Sequence, residues 1–200
     1  LKTEEAVTIL TFSIEAIQIA LDSPIPQIQI LGLNIISQLS YFYDVEPLLS
    51  QIDFTSFLPI CWNFFCTGFS YFQSESSATI NRIISMIHSI DFTRPDIDSN
   101  LNKYSNFDIT EIFKEIMNLI QSSPSQICGS LTLMDDLIKY VTDYDSLFFI
   151  LCFTIELTKS LIEMNPNDNS IDHSCHLLSS ILSNRQKFTF PFDLLSELYQ

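Results

Sequence analysis

Apolar residues return every three or four positions along most of this chain, and only three glycines (Gly32, Gly68, Gly129) are available to interrupt them. That spacing is the period of one face of an α-helix. So little glycine also leaves scant material for the tight turns of β-hairpins, so the fold class is all-α. The clearest stretch sets Ile109, Ile112, Phe113, Ile116 and Ile120 on one face and Glu111, Lys114, Glu115 and Asn118 on the other, with Asp108 placed as the N-cap.

Further helix starts are read from serines. Ser23 before Pro24 and Ser123 before Pro124 each put a capping hydroxyl ahead of a proline at the first helical position. Superposing these starts, 100 residues apart, lays Leu31 on Leu131 and Leu33 on Leu133, and both segments run on to a Tyr-Asp pair, Tyr43-Asp44 and Tyr144-Asp145. Ser76-Ser77 opens a similar segment carrying Ile80, Ile83, Ile84, Ile87 and Ile90, and Ser170 another carrying Ile171, Cys175, Leu178 and Ile181. Second helices therefore begin near 24, 76, 124 and 170, each after an apolar first helix at about 3–21, 55–72, 108–121 and 145–164. The result is four antiparallel hairpins, about 3–42, 55–90, 108–142 and 145–185, at the 45–50-residue period of a helical solenoid. Residues 44–53 read as a short helix, 91–107 as a loop rich in Asp, Pro and Asn, and 191–200 as the start of a further helix. With Leu1 in place of an initiator methionine, the expectation is a piece of a longer chain. A compact bundle of eight helices satisfies much of the same periodicity.

The junction Leu21-Asp22-Ser23-Pro24-Ile25-Pro26-Gln27-Ile28-Gln29, followed by Leu31-Gly32-Leu33-Asn34-Ile35-Ile36-Ser37-Gln38-Leu39-Ser40, resembles that of armadillo and HEAT repeats. In those families a short Ser/Asp/Pro turn leads into a helix reading small-x-x-aliphatic-x-x-Leu. Ser122-Ser123-Pro124 to Tyr140 is a weaker copy. The resemblance implies a right-handed superhelix of hairpins, a non-enzymatic surface for other proteins, and no cofactor. It covers about twenty residues as motif, and the regular Trp and Asn of importin-α-like grooves are not there, since Trp62 lies in a first helix.

With 24 acidic and 9 basic residues the net charge is −15. That field repels phosphate backbones and anionic membranes, and attracts basic segments of other proteins. The basic residues are scattered singly, so nucleic acid is not expected as a partner. An apolar share of 46% speaks against disorder. Five cysteines, odd in number and without C-x-x-C spacing, read as small buried hydrophobes of a reducing compartment, cytoplasm or nucleus. Glu4, Glu5 and Glu15 rule out reading the first segment as a signal peptide. Two uncharged runs, 23–43 and 54–74, reach membrane-spanning length. The first holds Pro24, Pro26 and Asn34, the second Pro59, Asn63 and Gly68 between Asp53 and Glu75, and neither is read as a span.

Chemistry is sparse. Three histidines give little with which to build an acid–base site. Asp172, His173, Cys175 and His176 form the densest ligand-like cluster, but no second Cys/His pair completes a zinc site and Cys175 falls on the Ile171/Leu178 face expected to be core. Asp96-Ile97-Asp98-Ser99-Asn100 begins like a calcium loop, then has Leu101 for the turn glycine and Phe107 for the bidentate Glu. Phosphate-loop, dinucleotide, zinc-protease and serine-hydrolase motifs are missing.

What remains is surface. Second helices usually line the concave side of a solenoid. Their polar faces carry the candidate partner-binding residues: Gln27, Asn34, Gln38 and Tyr41; Arg82, Ser85 and His88; Asp135, Asp136 and Lys139; His173, His176 and Ser180. The expected function is a protein-interaction scaffold that takes a peptide or helix. A HEAT-type nuclear transport receptor and a regulatory region of a larger enzyme or assembly stand as alternatives.

Overall fold

The computed structural model describes residues 12, 13, 15–42, 46, 49, 50, 53–66, 70–165 and 168–183; the side chains of residues 33, 36, 37, 39–42, 70 and 71 are outside it. The first turns of the helix expected from residue 3, most of the short helix at 44–53 and the helix at 191–200 fall outside the described residues. Among those described, every regular element is helical and there is no strand. No helix among them is long and apolar enough to cross a membrane. The chain divides into two compact units, Leu1–Phe107 and Asp108–Gln200.

The first unit contains α1 (15–21), α2 (Pro26–Phe42), a 3-10 turn Phe54–Phe57 leading into α3 (Leu58–Cys66), α4 (Ser70–His88) and a second 3-10 turn, Ser99–Tyr104. α4 packs against both α2 and α3. α2 starts at Pro26, two residues beyond the proline that the Ser-Pro pattern pointed to. A residue before proline is forced toward extended backbone, so Ile25 cannot be helical. Ser23 Oγ still accepts from the amide of Ile25 at 3.2 Å, closing the turn. Where α2 crosses α1, a Cβ on Gly32 would sit 3.2 Å from Ala20 Cβ and 3.4 Å from the Leu21 side chain, so the absence of a side chain is what lets the two helices approach.

α4 buries Ile80, Ile83, Ile84 and Ile87 of the expected isoleucine stripe, and Ile90, two residues past its end, is in the core as well. It does not start at Ser76-Ser77. The helix is unbroken from Ser70, Ser76 is fully buried within it, and Thr79 Oγ1 donates to the Glu75 carbonyl at 2.9 Å. These hydroxyl residues pack inside a helix instead of capping one. The 91–107 stretch is held at two points. Arg94 pairs with Glu46 at 2.6 Å, and the fully buried Tyr104 places its hydroxyl 3.1 Å from the Phe54 amide, whose hydrogen bond it accepts.

The second unit contains α5 (Ile109–Ser122), α6 (Ile127–Leu137) with 3-10 turns Pro124–Gln126 and Ile138–Tyr140 at its ends, α7 (Tyr144–Met164) and α8 (Asn169–Ser183). α6 packs on α5 and α8, and α8 packs also on α7. Ser123 makes no side-chain capping bond; Pro124 opens a 3-10 turn, and α6 begins three residues later. In α8 the core face is Ser170, Ser174, Leu177 and Ile181, while Ile171 and Leu178 are half-buried and Cys175 is exposed. Of the expected face Ile181 is buried, while Ile171, Cys175 and Leu178 each give the inner position to the residue before it. Small serines win the inner position because α6 comes close there, with Cys128 Sγ 3.3 Å from Ser170 Oγ, and because Ser174 Oγ satisfies itself on the Ile171 carbonyl at 2.8 Å.

A recurring device shapes the turns and helix starts. In Asp53-Phe54-Thr55, Asp91-Phe92-Thr93 and Asp108-Ile109-Thr110 the carboxylate accepts from both the amide and the hydroxyl of the threonine two residues on. Asp98, Asp143 and Asp168 cap with backbone amides of Asn100, Ser146 and Ser170. The carboxyls of Asp91 and Asp108 are held below the usual range, first by the threonine hydroxyl bond; that of Asp168 is lowered first by the Ser170 amide. A sizeable part of the negative charge is thus committed to turns and helix starts.

Candidate functional site

Two hydrogen-bonding contacts fix how α6 and α8 lie together. Cys128 on α6 meets Ser170 on α8, and one turn further along both helices Thr132 Oγ1 lies 3.3 Å from His173 Nδ1. Both sequence numbers rise together from one contact to the next, so the helices run parallel. Continued at helical spacing, this register carries Asp135 and Asp136 on α6 and His176 and Ser180 on α8 along the same seam, with Lys139 in the 3-10 turn that follows α6. Along this seam, the α6/α8 furrow, His173 is the candidate residue whose hydrogen-bonding contact crosses between the helices.

The furrow is chemically uneven. His173, Ser180 and Asp135 are half-buried; Asp136, Lys139 and His176 are exposed. Asp135 Oδ1 is shut off from solvent and has no hydrogen-bond partner among the described residues. Desolvation pushes the Asp136 carboxyl up from its ordinary value, Lys139 pulling it back and Asp135 pushing it further. Lys139 Nζ rests 4.9 Å above the centre of the Tyr140 ring. Asp135 Oδ1 is an unsatisfied acceptor closed to solvent, and the exposed Asp136 is the carboxylate of the pair that an incoming N–H donor or cation can reach.

In the first unit the candidates are less tightly assembled. Gln27, Asn34 and Gln38 share one face of α2, with Gln27 and Gln38 exposed and Asn34 half-buried; the Tyr41 side chain lies outside the described residues. Arg82 and Ser85 on α4 are half-buried. His88 is exposed, with Nδ1 3.1 Å from the Ile84 carbonyl of its own helix and its ring edge-on to Phe107 at 6.4 Å. α2 and α4 pack side by side.

Sequence reasoning missed two features. Thr132 and Ser170 set the α6/α8 register, and only the polar spacing Thr132, Asp135, Asp136 hinted at the first. The other is a groove of about 300 Å³ between α5 and α7, floored by Phe113 and Ile150 and edged by Phe149, which is 54% exposed. The signal for it was present: residues 147–153 of α7 are apolar all round and offer no polar face for solvent.

The most buried thiol, Cys61, is pushed up to about 12 by desolvation and stays protonated. Among the described residues no three of His, Cys, Asp and Glu converge as a metal ion requires. Comparison of the chain with protein-family models, with curated proteins and with solved structures finds no match.

Proposed function

We propose that this chain is an intracellular, non-enzymatic binding segment, an α-solenoid of armadillo/HEAT-like hairpins that holds a protein or peptide along the polar faces of its second helices. The observation that carries the reading is the parallel α6/α8 pair, with the buried Asp135 Oδ1 lacking a hydrogen bond beside the exposed Asp136. Stacked hairpins place second helix on second helix in parallel, and in each unit the second helices pack together, α2 with α4 and α6 with α8. Curvature toward the second helices is supported by the second unit, where α6 and α8 close on each other while α5 and α7 leave a groove. Odd, unpatterned cysteines support a reducing compartment.

The partner segment in this reading is basic. Its ammonium or guanidinium groups meet the exposed Asp136, with the Asp135 charge behind it, across a surface whose net charge of −15 speeds encounter. The test is a cross-linking pull-down that compares the chain with a variant carrying Gln38→Ala, Arg82→Ala, Asp135→Ala and Asp136→Ala. The expected result is a partner that cross-links to α6 or α8 and is lost with the variant. Equal recovery by both baits, or cross-links confined to the first helices, sinks the assignment.

A further inference from the structure

The geometry points to a second docking surface, on the first helices of the second unit: the α5/α7 groove takes one large apolar side chain from a basic amphipathic segment of a partner protein. Its floor is core material, Phe113 and Ile150 each 1% exposed, yet Phe149 stands 54% exposed on its edge. A large aromatic ring half in water beside an open apolar slot is an anchor site of the sort that dominates small interfaces. At about 300 Å³ the slot sits at the lower limit of ligand pockets, which suits an inserted side chain better than an enclosed cofactor.

Charge names the occupant. Four of the polar contacts at this mouth lead to carboxylates. Asp145 lines it directly, Thr110 is bonded to Asp108 at 2.9 Å, Ser146 to Asp143 at 2.7 Å, and the one cation, Lys114, is tied to Glu111 at 2.6 Å. With Lys114 neutralised, three carboxylates remain around an apolar slot. A segment with Leu, Ile or Phe in register with the slot and Lys or Arg on either side matches both features, whereas an acidic segment is repelled. The groove lies on first helices, so this docking does not compete with the α6/α8 furrow.

The probe is a fluorescein-labelled helical peptide with leucine along one face and lysine on the other, alongside its glutamate-for-lysine counterpart. Binding to the full chain is followed by anisotropy, and its location by amide chemical-shift changes. The expected result is binding of the lysine peptide with shifts centred on Thr110, Lys114, Asp145 and Phe149. Phe149→Ser and Asp145→Lys, both on exposed side chains, should each weaken it about tenfold, while Asp172→Lys, an equal charge change on α8, leaves it nearly intact. Three results overturn the proposal: indifference to Phe149→Ser, equal loss with Asp172→Lys, or equal binding of the glutamate peptide. Sedimentation showing a wild-type dimer that Phe149→Ser dissolves overturns it too, because the occupant is then a second copy of the chain.

Discussion

Tyr104 and Phe54, fifty positions apart in sequence, are joined by a hydrogen bond of 3.1 Å from the Phe54 amide to the Tyr104 hydroxyl, and both residues are fully buried. That bond satisfies the first amide of the Phe54–Phe57 turn, which has no partner of its own kind. Tyr104→Phe keeps the ring and removes the acceptor, leaving a buried N–H unpaired. The expected cost is about 1–3 kcal/mol in urea denaturation. Burial also pushes the Tyr104 phenol up to about 12. A raised value means the folded state holds this proton more tightly than the unfolded one. Its share of stability is therefore complete below about pH 10 and lost as pH rises toward 12. Tyr104→Phe should flatten that alkaline decline, and an unchanged slope would count against the burial argument.

Gly32 offers a steric test of the α1/α2 approach. Alanine there gains up to about 1 kcal/mol of helix propensity but puts a Cβ 3.2 Å from Ala20, so the net change is expected to be small. Valine adds two methyls with nowhere to go. Gly32→Val should destabilise by about 1–3 kcal/mol, and a thermally unaffected variant would show that the two helices part without cost.

The helices were legible because their cores are written locally. Phe113, Ile116 and Ile120, like Ile80, Ile83 and Ile84, repeat at helical spacing and are buried where that spacing put them. Apart from the helix starts near Pro26 and Pro124, where the misreading is local, the failures came from tertiary packing. Ser76 looks like a cap by type, but its hydroxyl residue neighbours bond within the helix and the surrounding core covers it. Cys175 was assigned inward by hydrophobicity, yet the close approach at Ser170 selects small side chains over apolar ones. The α6/α8 residues were singled out one helix at a time. That the two helices share a seam depends on a register set by Thr132 and His173, which no periodicity encodes. Phe149 is exposed because α5 and α7 leave a groove, a property of their spacing and of neither sequence alone.

The aspartate caps predict how the protein responds to acid. Asp91, Asp108 and Asp168 have carboxyls held below the ordinary value of 3.8, so the folded state binds their protons less tightly than the unfolded state. The stability they supply is present above about pH 4 and is lost as pH falls through the lower folded values. Asp108→Ala removes both bonds to Thr110 and should cost roughly 1 kcal/mol at neutral pH, as N-caps do. Asp108→Asn keeps an acceptor without the titration, so its unfolding free energy should fall less steeply between about pH 4 and pH 2 than that of the wild type. Parallel acid profiles for the two proteins would contradict the cap assignment.

Asp135 predicts a conflict between stability and binding. Its Oδ1 is hidden from solvent without a partner, next to the Asp136 carboxyl that desolvation already disfavours in its charged form. Such a group costs folding free energy unless something else satisfies it. Asp135 also sits inside α6, where alanine is the better helix former by about 0.5 kcal/mol. Asp135→Ala should therefore raise the urea midpoint, by the equivalent of about 1 kcal/mol, while weakening a basic partner at the furrow about tenfold. Stabilising exchanges that cost binding are the mark of a residue kept for contact instead of folding. If Asp135→Ala is instead destabilising, Asp135 has a structural partner in solution and the furrow loses its unsatisfied acceptor.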